Sequence, residues 1–167
     1  MLFDKIESPN ELFTFKLGSA LTMEQKVLAM LGDLEAEAHH EELKQQLRHH
    51  ADETRSQIRN IEMAFEAFGA QPDDKPCPVI EAIDKEGKMN IKKADDGLVD
   101  NVIVAGATET EHHEIAVYEG LIAQADAMGK SEVVTLLQQN LEQEQHTLDE
   151  VRDHARRFAR ETAGASA

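Results

Sequence analysis

The sequence predicts an all-α protein, a four-helix bundle, and three observations predict it. Alanine, leucine, glutamate and glutamine are abundant, while the aromatics are only six Phe and one Tyr, with no Trp. That is the composition of helices rather than of sheets. The strongest chain breakers fall in few places: Ser8-Pro9-Asn10, the stretch from Gly69 to Pro78, Gly129-Lys130-Ser131 and Gly164. Between them the apolar residues return on one face with the helical period.

Four long helices are expected, at about 10–37, 41–68, 97–128 and 131–160. The first opens behind Pro9, with Asn10 or Ser8 as its cap. Its stripe holds Phe13, Leu17, Ala20, Leu28 and Leu31. The second carries Leu43, Leu47, Ile58, Ile61, Phe65 and Phe68. The third carries Val99, Ile103, Gly106, Val117, Leu121 and Met128. The fourth, with Ser131 as its cap, carries Val133, Leu137, Leu141, Leu148, Val151 and Ala155. Only a few residues around Ala38–His40 join the first two helices, and Gly129 joins the last two. Links this short make antiparallel pairs. The second and third helices are about 28 residues apart, enough to run the roughly 42 Å length of such a helix. A short extra helix near 78–87 fits inside that connection. Two hairpins joined by one long crossover is the ferritin-like arrangement. One domain is expected over 1–162, with a flexible tail at 163–167.

Charge and cysteine usage narrow the partners. The net charge is -16. So acidic a surface repels nucleic acid and anionic membranes, which removes both as expected partners. A single cysteine, Cys77, allows no disulfide within the chain, so the fold does not depend on an oxidising compartment. The start of the chain lacks a basic region followed by an apolar run, and no segment nears the roughly 18 apolar residues that span a bilayer. A cytoplasmic location is the expectation.

Several charges fall where a core should be. At 100° per residue, Glu24 lies in the middle of its stripe, between Leu17 and Leu28, and Glu114 and Glu144 lie close to the centres of theirs. Glu53 and Glu111 lie on the flanks, and His50 sits inside the edge of the second stripe, one turn from Glu53. Tyr118 also points inward, whereas His112 and His146 point outward. His39, His40 and His49 form a solvated group near the first turn, and Cys77 is expected as a packed thiol. Each inward acid is near the middle of its helix, so the acids can share one level. Buried carboxylates must be protonated, paired or metal-bound. Lys and Arg lie mostly on outer faces. Cations between the acids remove their repulsion, and oxygen donors with one imidazole suit iron or manganese and also accept zinc.

The motifs that carry these residues resemble a known family. Leu21-Thr22-Met23-Glu24-Gln25-Lys26-Val27-Leu28 resembles the first-helix motif of the YciF-like bacterial stress-response family. His50-Ala51-Asp52-Glu53-Thr54, followed by Ile58, Ile61, Phe65 and Gly69, is similar to its second helix, and Lys75-Pro76-Cys77 to its crossover. Glu111-His112-His113-Glu114-Ile115-Ala116-Val117-Tyr118 and the segment from Leu136 to Glu144 are similar to its last two helices. The resemblance implies a rubrerythrin-like site for two metal ions, iron first, and a homodimer. Carried over by motif, the ligands are Glu24, His50, Glu53, Glu111, Glu114 and Glu144. The pattern departs from classical di-iron bundles, which repeat Glu-x-x-His on two helices. Here the second helix reads His50-x-x-Glu53, and His113 stands where the family commonly has an aromatic.

Two functions are expected to compete. One is a di-metal carboxylate protein that reduces peroxide or oxygen, with electrons from an outside donor or from the metal itself. Core packing is the first role expected of Tyr118, and supplying an electron or a hydrogen bond the second. The alternative is a non-catalytic stress protein whose metal site is structural or vestigial. An iron-storage cage ranks below both, because no fifth helix is evident after Ala163.

Overall fold

The computed structural model describes residues 5–165. All regular structure in them is helical: α1 (Pro9–Glu37), α2 (Glu41–Phe68), α3 (Pro78–Lys93), a 3-10 turn (Asp96–Leu98), α4 (Val99–Ala127) and α5 (Ser131–Ala165). The four long helices stand where the periodicity puts them. Ser8 caps α1, its Oγ accepting from the Glu11 amide at 3.2 Å. Gly69 and Gly129 close α2 and α4 with φ of 95° and 68°. At that φ a side chain is strained, and the backbone amides can turn back onto the last carbonyls. Ser131 is the first residue inside α5 rather than its cap, since the Lys130 carbonyl already accepts from Val134.

Two expected boundaries shift. The extra helix is longer than 78–87 and continues through Gly87 to Lys93, because Ile83 and Ile91 extend the apolar face that Ile80 begins. Helix α5 passes position 160 and runs to Ala165, so 163–165 of the expected tail are helical. Residues 166–167 lie outside the described residues.

The long helices form a square in which α1 touches α2 and α4, and α5 touches α2 and α4. The ends of the square identify the topology. At one end Phe13 packs on Phe68 with ring centroids 4.7 Å apart, and Lys130 lies over the same Phe68 ring. At the other, Asp100 accepts from the backbone amides of His39 and His40 at 2.8 Å, and the His40 ring stacks on Phe158. Helix α2 therefore ends where α1 begins, while α4 starts where α1 ends. The segment between them must travel the whole bundle, and its rungs on α1 trace the route. Ser19 donates to the Pro76 carbonyl, Lys26 pairs with Glu81 and Asp84, and Asp33 pairs with Lys88.

The route begins at Gly18. A Cβ there would run into the Asp73 carbonyl and the Lys75 side chain, and the Lys75 amide donates to the Gly18 carbonyl at 3.2 Å. Only glycine lets the crossover backbone come this close. Gly18→Ala is expected to cost about 1–3 kcal/mol through overpacking against backbone that cannot yield. A lowered urea midpoint checks it, and an unchanged one would show that the crossover shifts freely.

Candidate metal centre

The centre is built by heptads. Along α2, positions 43, 47, 50, 54, 57, 61 and 64 alternate by four and three, and every one of them is buried. Along α5 the same spacing gives 133, 137, 140, 144, 147 and 151. Such seams normally carry apolar knobs. Here the ends of each seam are apolar and the middle is polar: His50, Thr54 and Gln57 on α2, and Asn140, Glu144 and Thr147 on α5. Helix α4 adds Glu111, Glu114 and Tyr118, and α1 adds Glu24, all of them buried. The bundle thus encloses a polar chamber between two apolar plugs.

Within the chamber, His50, Glu111, Glu114 and Glu144 each offer one ligand atom, all within 4.8 Å of one another. His50 Nε2 lies 3.3 Å from Glu111 and 3.9 Å from Glu144. Its Nδ1 faces Thr147 Oγ1 at 3.4 Å and Glu53 at 3.7 Å. A hydrogen on Nδ1 therefore has partners outside the cluster, and Nε2 is directed into it, as in metal-bound histidines. Glu24 joins the quartet through Glu114. It also accepts a hydrogen bond from the Tyr118 hydroxyl. That hydroxyl in turn accepts from Asn140 Nδ2 at 3.0 Å.

The electrostatics follow from burial and crowding. Burial pushes the Glu24 carboxyl up to about 7, against the pull of Tyr118 and His50. Burial, then the carboxyls of Glu144 and Glu24, raises Glu114 well above the usual range. Burial, then Glu24 and Glu111, does the same to Glu144. At His50 burial opposes the charge, but Glu111 and Glu53 overcome it and raise the imidazolium well above its ordinary value. Among the described ion pairs, His50 is the one cation that reaches these acids.

Whether the residues fit a metal is decided by their unused donors. Seven buried atoms of the set have no hydrogen-bond partner among the described residues: Glu24 Oε2, His50 Nε2, Glu111 Oε2, and both oxygens of Glu114 and of Glu144. Each is costly in a dry interior unless protonated or coordinated. An oxygen-rich set with one imidazole is the donor chemistry of iron and manganese. The residues fit a metal ion.

Five of the six residues expected from sequence meet here. Glu111 is as buried as the others despite its place on the flank of the stripe. Glu53 differs, with a side chain 16% exposed at the solvent side of His50. Histidines 112 and 146 point outward as expected, whereas His40 is tied to Asp100 and is not simply solvated. Cys77 is packed, its Sγ 3.8 Å from His113 Nε2. Thr54, Gln57, Asn140 and Thr147 also line the chamber, and the apolar stripes alone do not reveal them. Their signal is the heptad register itself, which places them inward whatever their polarity.

The family described as "Domain of unknown function (DUF892)" matches residues 8–164. Protein YciF of Escherichia coli (strain K12) is 27% identical over 139 residues, covering 82% of this chain and 84% of that one. Among solved structures, that of the stress protein YciF of Escherichia coli superposes with a TM-score of 0.88 at 25% identity, over 93% of this chain and 99% of the other. A chain described as YcfI, a putative structural protein from Rhodopseudomonas palustris, gives 0.87 at 30% identity, over 91% and 98%. No helix of the described residues is long and apolar enough to cross a membrane.

Proposed function

From the premise that the chain belongs to the DUF892 family of YciF-like proteins, we propose that it is a di-metal carboxylate protein of a bacterial stress response that reduces peroxide or oxygen. The observation that carries the proposal is the buried cluster with seven unpartnered donor atoms. Glu24, His50, Glu111, Glu114 and Glu144 hold two ions, iron first and manganese or zinc second, and Glu53 completes the set from the solvent side. Bound iron supplies electrons to an oxidant. The chain's own residues do the rest. Apolar seams above and below the chamber exclude bulk water. Tyr118 anchors Glu24 by its hydroxyl, and Asn140 anchors Tyr118. In the metal-free chain the carboxyls of Glu24, Glu114 and Glu144 are raised, and bound ions displace the protons they carry, so the protons that water formation consumes come from solvent. The electron donor is external, and the protein works in the cytoplasm as a homodimer.

A second reading has its own support. The Rhodopseudomonas palustris relative is described as a putative structural protein. Apart from Glu53, the donor set is almost sealed from solvent. In this reading the metal only holds the four helices together.

Metal content after anaerobic reconstitution with ferrous iron, followed by peroxide, separates the two. About two irons per chain with rapid oxidation is expected for the redox protein. Bound metal that peroxide leaves unchanged supports the structural reading. A chain that retains no metal removes both, and size-exclusion chromatography checks the dimer.

A further inference from the structure

Glu53 links the buried cluster to a polar cavity on the surface. Between α2 and α5 lies a surface cavity of about 480 Å³ whose walls include Glu53, Asn60, Glu142, Gln143 and His146. Glu53 stands at its inner end with its two oxygens turned in different directions. Oε1 lies 3.6 Å from His49 Nε2, and Oε2 lies 3.7 Å from His50 Nδ1. Both separations are longer than a hydrogen bond. The outer one matches the span between two donors bound to one cation with bonds of about 2.0–2.2 Å, while the inner one faces the hydrogen-bearing nitrogen of His50. Exposure falls along the line, from 63% for the His49 side chain to 16% for Glu53 and 4% for His50.

Resting on the metal-centre reading above, we propose that His49, His146 and Glu53 form an entry site for divalent first-row transition-metal ions. A cation docks on the outer oxygen of Glu53 beside His49, after meeting His146 on the cavity wall. It then passes to the inner oxygen and past the His50 ring to the cluster that Nε2 faces, without crossing the apolar seams. The strongly negative surface draws cations to this opening, and imidazole with carboxylate favours a transition metal over magnesium or calcium.

The test uses the full metal-free chain and Co²⁺, whose ligand-field absorption reports coordination. A passage lowers a barrier in both directions and leaves affinity alone. The His49→Ala/His146→Ala chain is therefore expected to bind as much Co²⁺ at equilibrium as the wild type. It should load about tenfold more slowly and lose the ion to excess chelator more slowly in the same proportion. Equal loading rates overturn the passage while leaving the centre intact. Slow loading with faster release makes the histidines ligands of the centre and overturns the passage as well. A wild-type chain that takes up no Co²⁺ overturns the centre and the passage together.

Discussion

Glu114→Leu is expected to make the metal-free protein more stable and the protein unable to hold metal. Glu114 is fully buried, and neither of its oxygens has a hydrogen-bond partner. Its carboxyl is raised by burial and by its acidic neighbours Glu144 and Glu24, so it sits in the fold at a cost. Leucine has similar volume and belongs in the stripe that Tyr118 and Leu121 continue. One contact with Glu24 is lost, but Glu24 keeps Tyr118. Replacing buried ionisable groups with apolar ones of similar size often stabilises by roughly 1–4 kcal/mol, and relief of like-charge crowding acts in the same direction. Removing one partner of a buried salt bridge does the opposite, which is why the identity of the neighbours decides the sign. Denaturant titration of both chains after exhaustive chelation measures it, and a less stable Glu114→Leu chain would sink the idea that the acids oppose one another. Glu24→Ala combined with Glu144→Ala should likewise abolish stoichiometric metal binding. Unchanged metal content in that variant would remove the site assignment.

The same neighbours explain which parts of the molecule are legible in the sequence. Helix positions follow from period and punctuation, which are local, so α2 is expected at 41–68 and lies at Glu41–Phe68. Glu24, Glu114 and Glu144 are legible because an acid between leucines on one stripe must enter the core with them. Glu53 and Glu111 share a flank position on their wheels, yet one is partly exposed and the other buried. The difference comes from which helix stands beside each, and a single wheel carries no such information. Glu111 meets His50 across the bundle, whereas Glu53 borders the cavity between α2 and α5. Gln57 and Asn140 escape a reading of apolar stripes for a different physical cause. Their polarity suggests surface, while their heptad position marks them as interior. The tie between His40 and Asp100 joins residues 60 positions apart, and no local pattern announces it.

The stability of the metal-free chain is expected to fall as pH rises from the acid side, and that of the metal-loaded chain to rise. The carboxyl of Glu24 moves from 4.5 to about 7 in the fold, and those of Glu114 and Glu144 are also raised. Above their unfolded pKa the unfolded chain has released these protons and the native chain has not. The native state then binds more protons, and stability declines with pH. Glu24 alone contributes roughly 3 kcal/mol of this loss by pH 7, at about 1.4 kcal/mol per unit. His50 acts in the same direction, since its stabilising charge is lost as pH rises through its raised pKa. Glu53, Asp84 and Asp100 are lowered and oppose it, but their contribution is lost only as pH falls below the ordinary carboxylate range. Coordination reverses the slope, because a metal ion competes with protons for the same carboxylate oxygens and for His50 Nε2. Melting temperatures at about pH 5.5 and pH 8 should therefore change order when metal is added. A metal-free chain that gains stability across this range would mean that the chamber acids are already ionised. The charge holding them would then have to come from somewhere other than His50.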